Sequence, residues 1–334
     1  MTKKILITGH TGFVGTNLVR ALADDSLIYG LDVPGSSALL PPERTFTWDA
    51  PGRLPGTDAI IHLAGKAHDT AGTADPQAFF DINLGLTRRI FDHFLESDSQ
   101  TFIFFSSVKA VADTLHDTVL SEDHVPDPKT PYGRSKLAAE QYIAERLGVP
   151  AKHLSPGNDR QSLLPKGAET TTKGKRVFIL RPAMIHGPGN KGNLNLLFNM
   201  VRRGIPWPLG AFDNQRSFAS IGNVTYVVRR ILTEPIAAGT YNLADDEPLA
   251  TNELVRLIAA SAGRKPRILK VTPALVRAAA RAGDLLHLPL NSERLKKLCE
   301  NYVVSNRKIK NALRINALPT AATEGIKQTL ASFL

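Results

Sequence analysis

Apolar residues in this chain follow two patterns. Short continuous runs are too brief for helices and predict buried strands: Lys4-Ile5-Leu6-Ile7, Leu27-Ile28-Tyr29-Gly30-Leu31, Ala59-Ile60-Ile61-His62-Leu63-Ala64-Gly65, Thr101-Phe102-Ile103-Phe104-Phe105 and Arg176-Val177-Phe178-Ile179-Leu180. Thr45-Phe46-Thr47-Trp48, closing on Asp49, reads as a further strand. Between the runs the spacing becomes helical. Phe79, Ile82, Leu86, Ile90 and Phe94 mark a helix over Ala78 to Leu95, and Leu137, Ala138, Ala139, Tyr142 and Ile143 carry another from Pro131 to Leu147. Strands alternating with helices predict an α/β fold, a Rossmann-type doubly wound parallel sheet.

Past Gly189 the pattern changes. A helix is expected over Asn193 to Arg203, followed by the rigid turn Ile205-Pro206-Trp207-Pro208-Leu209. Thr251 can cap a helix over Asn252 to Ala260. Ala274 to Leu286 has an amphipathic spacing that predicts Leu275, Ala278, Ala282, Leu285 and Leu286 facing inward, and Asn291-Ser292-Glu293-Arg294 begins one more helix. The expected organisation is a domain over residues 1–190 and a smaller C-terminal α/β lobe over 191–334, interleaved with it.

The first strand runs into Thr8-Gly9-His10-Thr11-Gly12-Phe13-Val14-Gly15, a glycine turn that opens a helix. Gly9 permits the tight turn, the amides around Gly12 and Phe13 lack intrahelical partners, and Gly15 lets the helix lie close on the sheet, so the turn can cradle a diphosphate. The second strand ends at Asp32, where a carboxylate can accept from both ribose hydroxyls of an adenosine and repel a 2'-phosphate. NAD, not NADP, is the expected cofactor. His62 sits within a buried strand and reads as a hydrogen-bonded structural histidine.

The fifth run delivers Ser106-Ser107 to the carboxyl edge of the sheet, where ligands of open parallel sheets bind. Tyr132 and Lys136 are four residues apart on a helix. One turn apart on one face, a lysine ammonium could draw the phenol down from about 10 towards neutrality and make it an acid/base.

Composition narrows the class. Of 334 residues one is cysteine, Cys299, which excludes an internal disulfide framework and a cysteine-cluster metal site. A reducing, cytoplasmic setting is expected, with no signal peptide ahead of Lys4 and no apolar run near the ~18 residues of a membrane span. The net charge of +10 invites nucleic acid or a membrane surface. Lys and Arg are instead scattered over helices such as Val276-Arg277-Ala278-Ala279-Ala280-Arg281, a pattern of solvated faces.

Together these motifs resemble the extended short-chain dehydrogenase/reductases, in the NAD-dependent nucleotide-sugar epimerase/dehydratase group. The likeness rests on the turn from Thr8 to Gly15, Asp32, the strand end His62 to Gly65, Asn83, Ser106-Ser107, Tyr132-Gly133-Arg134-Ser135-Lys136, Arg181-Pro182 with Gly187-Pro188-Gly189, and Arg216-Ser217-Phe218. The resemblance implies that Ser107 positions a sugar hydroxyl, Tyr132 exchanges its proton and Lys136 holds the nicotinamide ribose, while C4 of the sugar exchanges hydride with the ring. It implies cofactor contacts at Gly9, Gly12, Phe13, Val14, Gly15, Asp32, Asp49, Ala50, Leu63, Ala64, Gly65, Asn83, Tyr132 and Lys136. Lys109, Asn193, Arg216 and Arg294 are the implied substrate contacts, with Arg216 on the diphosphate. A homodimer through the helices carrying Asn83 and Tyr132 is also implied.

Some residues depart from the family pattern. The 4,6-dehydratases carry an Asp-Glu pair directly after the serine, whereas Val108-Lys109 stands here, and enzymes that epimerise C3 and C5 need a Cys and a His that Cys299 cannot supply. The expected activity is therefore epimerisation or ketoreduction at C4 of a UDP-sugar, a UDP-HexNAc or its 6-deoxy-4-keto derivative, for surface polysaccharide precursors. The alternative is a non-catalytic dinucleotide-binding sensor or scaffold. The stretch from about 149 to 175, where the family needs only a few residues, reads as a mobile insertion. It follows a helix that returns from the carboxyl edge, so it is expected on the side opposite the site.

Overall fold

The computed structural model describes residues 2–34, 39–49, 54–67, 75–115, 119–148, 174–190, 192–286 and 291–334. Its first half comprises β1 (Lys3–Thr8), α1 (Phe13–Leu22), β2 (Ser26–Asp32), β3 (Thr45–Thr47), β4 (Ala59–His62), α2 (Pro76–Glu96), β5 (Thr101–Phe105), β6 (Val119–Leu120), α3 (Pro131–Arg146) and β7 (Arg176–Pro182). The second half adds β8 (Met184–His186), α4 (Asn193–Arg202), β9 (Phe218–Ser220), α5 (Ile221–Thr233), β10 (Gly239–Leu243), α6 (Thr251–Ser261), α7 (Pro273–Leu286), α8 (Ser292–Cys299), β11 (Val303–Val304), α9 (Arg307–Leu313) and α10 (Ala322–Ala331).

Seven parallel strands form the central sheet in the order β10-β7-β5-β4-β1-β2-β3. The apolar runs are continuous because both faces of the sheet are covered. Ile5, Ile7, Ile28, Ile61, Ile103 and Phe178 pack on one face with α1, α5 and α9. Their neighbours Leu6, Ile60, Phe102, Phe104, Val177 and Ile179 pack on the other with α2 and α3, as the two-residue alternation of a strand requires. A third core, around Phe198, Trp207, Leu254, Ile258, Leu295 and Ile326, belongs to the smaller lobe. The chain is interleaved between the two, since α5 and β10 return to the sheet after β9.

Two expectations about helices need correction. On α7 the stripe predicted to face inward faces out: Leu275 is 64% and Leu285 80% exposed, and Ala278 and Ala282 are exposed beside them. Val276, Ala280 and Gly283 are buried instead, Val276 and Ala280 within the lobe's apolar core. The Leu286 side chain lies outside the described residues. Thr251 is the first residue of α6 and does not cap it; Ala250 holds the cap position, and the Thr251 hydroxyl accepts from Asn214 Nδ2 at 2.9 Å.

Residues 149–173, which hold nearly all of the expected insertion, lie outside the described residues. The chain re-enters the sheet with Arg176 beside Thr101, the first residue of β5, at the edge opposite Gly9 and Ser106. Lys175, just ahead of it, is part of the core. Its ammonium donates to the carbonyls of Phe94 (3.0 Å), Ser97 (2.6 Å) and Ser99 (2.7 Å) at the end of α2, and lies over the Phe94 ring. A cation there satisfies carbonyls that a helix C-terminus leaves without partners. Lys175→Met is expected to cost about 2–4 kcal/mol in urea unfolding; a loss below about 0.5 kcal/mol would show the carbonyls find other donors.

Among the described residues no helix is long and apolar enough to cross a membrane, and no group of His, Cys, Asp and Glu is placed to hold a metal ion.

Candidate active site

The glycine turn after β1 is built from backbone in contact with backbone. Gly9 has φ +69°, and a Cβ there would stand 2.8 Å from the Ala64 amide nitrogen. A Cβ at Gly15 would stand 2.3 Å from the Gly9 carbonyl oxygen, so this glycine packs on the turn itself and not on the sheet. Gly12 caps α1 without a side-chain bond, leaving the amides of Phe13 and Val14 at the positive end of the helix as anion donors. The Phe13 ring lies along Gly187 and Gly189, while Asn17 donates to the Pro188 carbonyl at 3.0 Å.

Asp32 is drawn over this turn. Its Oδ2 accepts from the Thr11 amide (3.1 Å) and hydroxyl (2.6 Å), and Oδ1 accepts from the Val33 amide at 2.9 Å. Two acceptor positions per oxygen leave Oδ1 able to take a ribose hydroxyl. His10 lies beneath, with Nδ1 3.6 Å from Asp32 Oδ2. Burial holds its pKa below the ordinary value despite that carboxylate, which keeps the ring neutral. Asp49 is exposed just past β3, and Ala50 lies outside the described residues.

At the end of β4, Leu63 and Ala64 donate their amides to the Thr8 hydroxyl. A Cβ on Gly65 would meet Asn83 Oδ1 at 2.8 Å and Lys136 Nζ at 3.2 Å, so these three residues form one wall. Asn83 pins the loop, with Oδ1 accepting from the Lys66 amide and Nδ2 donating to the Lys66 carbonyl and Ser135 Oγ. His62 is structural as expected: fully buried, it bonds the Thr8 and Thr87 hydroxyls at 2.7 and 3.0 Å, and burial with the Lys136 charge keeps it neutral.

Thr130 caps α3 and thereby places Tyr132 and Lys136 on its first turns. The Tyr132 ring meets Phe79 edge-on. Burial raises the phenol's pKa and the nearby Ser107 hydroxyl offsets part of that rise. Lys136 does not draw it down, contrary to the expectation from spacing. The ammonium donates instead to the Phe105 carbonyl at 2.9 Å, and its own pKa is lowered to about 8 by burial. An i, i+4 spacing puts two side chains on one face of a helix without aiming one at the other.

Behind this wall lie residues that spacing did not reveal. Glu140, one turn beyond Lys136, forms a fully buried two-pronged pair with Arg181 and accepts from the Ser106 hydroxyl. Asp113 ties the turn after Ser107 to the start of α3, accepting from the amides of Lys129 and Thr130 and from the Thr130 hydroxyl. A Cβ on Gly133 would stand 2.4 Å from the Lys109 carbonyl oxygen. Gly133→Ala should therefore push the Ser107 turn off α3 and lower kcat about tenfold with cofactor retention unchanged; wild-type kcat would show the turn can yield without harm.

The expected substrate residues are only partly brought together. Lys109 Nζ donates to the Asp113 carbonyl at 2.5 Å and lies 4.0 Å from the centre of the Tyr302 ring. Arg216 is half-buried on a segment whose backbone pairs with Leu249 and bridges to Tyr302. Burial lowers its pKa, and Glu300 and Tyr302 work against that. Asn193 begins α4 and Arg294 lies on α8; their side chains are outside the described residues.

A model of the "NAD dependent epimerase/dehydratase family" matches residues 5–158. The UDP-glucose 4-epimerase of Vibrio cholerae is 28% identical over 282 residues, 78% of this chain and 76% of that protein. The N-acetyl-alpha-D-glucosaminyl-diphospho-ditrans,octacis-undecaprenol 4-epimerase of Escherichia coli O157:H7 is 26% identical and aligns over 99% of this chain and 95% of its own. Among solved structures, the UDP-glucose 4-epimerase of Thermus thermophilus in complex with NAD superposes with a TM-score of 0.69 at 20% identity, covering 99% of this chain and 98% of the other.

Proposed function

We propose that this chain, an extended short-chain dehydrogenase/reductase of the NAD-dependent epimerase/dehydratase family and a nucleotide-sugar epimerase or reductase, acts at C4 of a UDP-sugar. The observation that carries this reading is the Tyr132 phenol set near Ser107, whose hydroxyl lowers its pKa, with Lys136 from the same helix in the wall it forms with Gly65 and Asn83. The cradle fits a dinucleotide, because Gly12 starts α1 with no side-chain cap over the amides of Phe13 and Val14, and Asp32 Oδ1 accepts from the Val33 amide with a second acceptor position to spare. NAD, when bound, supplies the acceptor and donor of hydride.

Gly9, Gly12, Phe13, Val14 and Gly15 would hold its diphosphate, Asp32 its adenosine ribose, and Asp49 and Ala50 would flank the adenine. Leu63, Ala64, Gly65 and Asn83 would line its path to Lys136, which would bond the nicotinamide ribose. Ser107 orients the sugar's C4 oxygen. As C4–H breaks with its electron pair, the hydroxyl proton leaves for Tyr132; in the reverse sense Tyr132 returns a proton to the carbonyl oxygen. Lys109, Asn193, Arg216 and Arg294 are assigned to the sugar diphosphate, where a guanidinium fork matches phosphate oxygens. We further propose a homodimer through α2 and α3, whose outer face carries Ala138, Ile82 and Tyr142.

The test is a substrate panel: a UDP-HexNAc, its 6-deoxy-4-keto derivative, and a polyprenyl-diphosphate HexNAc of the kind named for the E. coli relative. Inversion at C4 with retained NAD identifies an epimerase, and stoichiometric use of NADH with the 4-keto sugar identifies a reductase. Turnover of the lipid-linked sugar alone would overturn the UDP assignment. No turnover of any of them would overturn the reading.

A further inference from the structure

Tyr302 is 4% exposed and belongs to neither the sheet core nor the lobe core. With Val108, Val111, Leu120, Ala183, Ala244 and Val304 it fills a small separate apolar cluster between them. Its hydroxyl donates to the Ala112 carbonyl at 2.7 Å, on the turn that begins at Ser107. The face of its ring receives the Lys109 ammonium from the same turn. Its main chain is engaged on the other side: its amide donates to the Gln215 carbonyl at 2.8 Å and its carbonyl accepts from the Ser217 amide at 2.9 Å, the two residues that flank Arg216. Parallel pairing of β11 with β6 extends the contact, as does the Val304 amide donating to Ser217 Oγ at 3.0 Å.

We propose that Tyr302 is a positioning residue: it holds the Ser107–Asp113 turn and the Arg216 segment in one register, so that the reacting carbon and the diphosphate of one substrate are addressed together. The inference rests on the C4 reading above. Ser107 and Lys109 lie on one side of Tyr302 and Arg216 on the other, and sequence-distant segments hold such a spacing only through a shared contact. Reaction geometry is sensitive to shifts of about 1 Å, which can cost on the order of a hundredfold in rate. The clamp does not titrate in the working range, since burial, Asp113 and Glu300 all raise the phenol's pKa and keep its O–H a donor.

Two variants release it in two steps. Tyr302→Phe keeps the ring and its packing but deletes the hydroxyl's bonds to Ala112 and Val108; Tyr302→Leu also deletes the ring contact to Lys109 and the ring packing that seats its main chain beside Gln215 and Ser217. Hydrogen exchange needs no substrate. In Tyr302→Phe, amides 108–113 should exchange about tenfold faster while those of β5 are unchanged, and in Tyr302→Leu the 215–218 segment should follow. In turnover, Tyr302→Phe should lower kcat about tenfold with KM within about twofold of wild type, and Tyr302→Leu should also raise KM about tenfold. Unchanged exchange in both segments, or faster exchange spread evenly over the chain, would overturn the clamp. Wild-type inactivity on the whole panel would instead overturn the C4 reading, and the exchange result would still decide the clamp.

Discussion

Tyr132→Phe is expected to lower turnover by about 10²- to 10⁴-fold while the protein folds, binds dinucleotide and retains its cofactor as before. The change removes one oxygen, the phenol's, and leaves the ring packed edge-on against Phe79. Without it the C4 hydroxyl proton has no base to receive it, and in the reductive direction the carbonyl oxygen has no acid. A loss in kcat with KM unchanged is the signature of a group that acts in the transition state. Burial raises the phenol's pKa, so on the C4 reading the positive charge of a bound oxidised nicotinamide, and not Lys136, would bring it into range as a base. A fall smaller than about tenfold would remove Tyr132 from the proton step.

Lys136→Met should abolish most of the activity and yet yield a more stable protein at pH 7. Lys136 is 5% exposed, and its pKa is lowered to about 8 from 10.5 mainly by desolvation. Keeping that ammonium charged in the fold costs on the order of 3 kcal/mol. Losing the bond to the Phe105 carbonyl returns about 1 kcal/mol of this, so a net gain of about 1–2 kcal/mol is expected in urea unfolding. The pH dependence has a definite sign. Between about 8 and 10.5 the unfolded wild-type chain binds more protons at this site than the folded one, so wild-type stability rises with pH through that window and the variant's advantage shrinks. A variant less stable than wild type at pH 7 would mean the ammonium's contacts outweigh its burial. Retained stability with lost turnover is the trade expected where a site stores strain for function.

The nucleotide-binding half was legible because its physics is local. Strands covered on both faces need unbroken apolar runs, and the turn at Gly9 needs a residue without a side chain, so Ile5, Ile7, Phe102 and Phe104 announce themselves. What escaped notice is decided by distant partners. The strand Gly239–Leu243 contains Thr240 and Asn242 and gives little apolar signal; it holds the sheet edge because Glu122 accepts the outward Asn242 amide at 2.8 Å. Asp113, Glu140 and Tyr302 act on segments that topology brings to them, and no spacing in the chain marks them. On α7 the period was readable while its orientation was not, since Leu275 and Ala280 are equally apolar letters until the lobe chooses between their faces.

Following the hydrogen at C4 tests the central claim most directly. A UDP-HexNAc carrying deuterium at C4 is mixed with protein in its NAD form, or the 4-keto sugar with deuterated NADH, and the products are read by mass spectrometry. The account predicts that the deuterium passes between C4 and the nicotinamide ring without exchange into water, and that Tyr132→Phe slows this transfer. Turnover in which the label is lost to solvent would contradict it, since that outcome requires C4 to give up a proton and not a hydride.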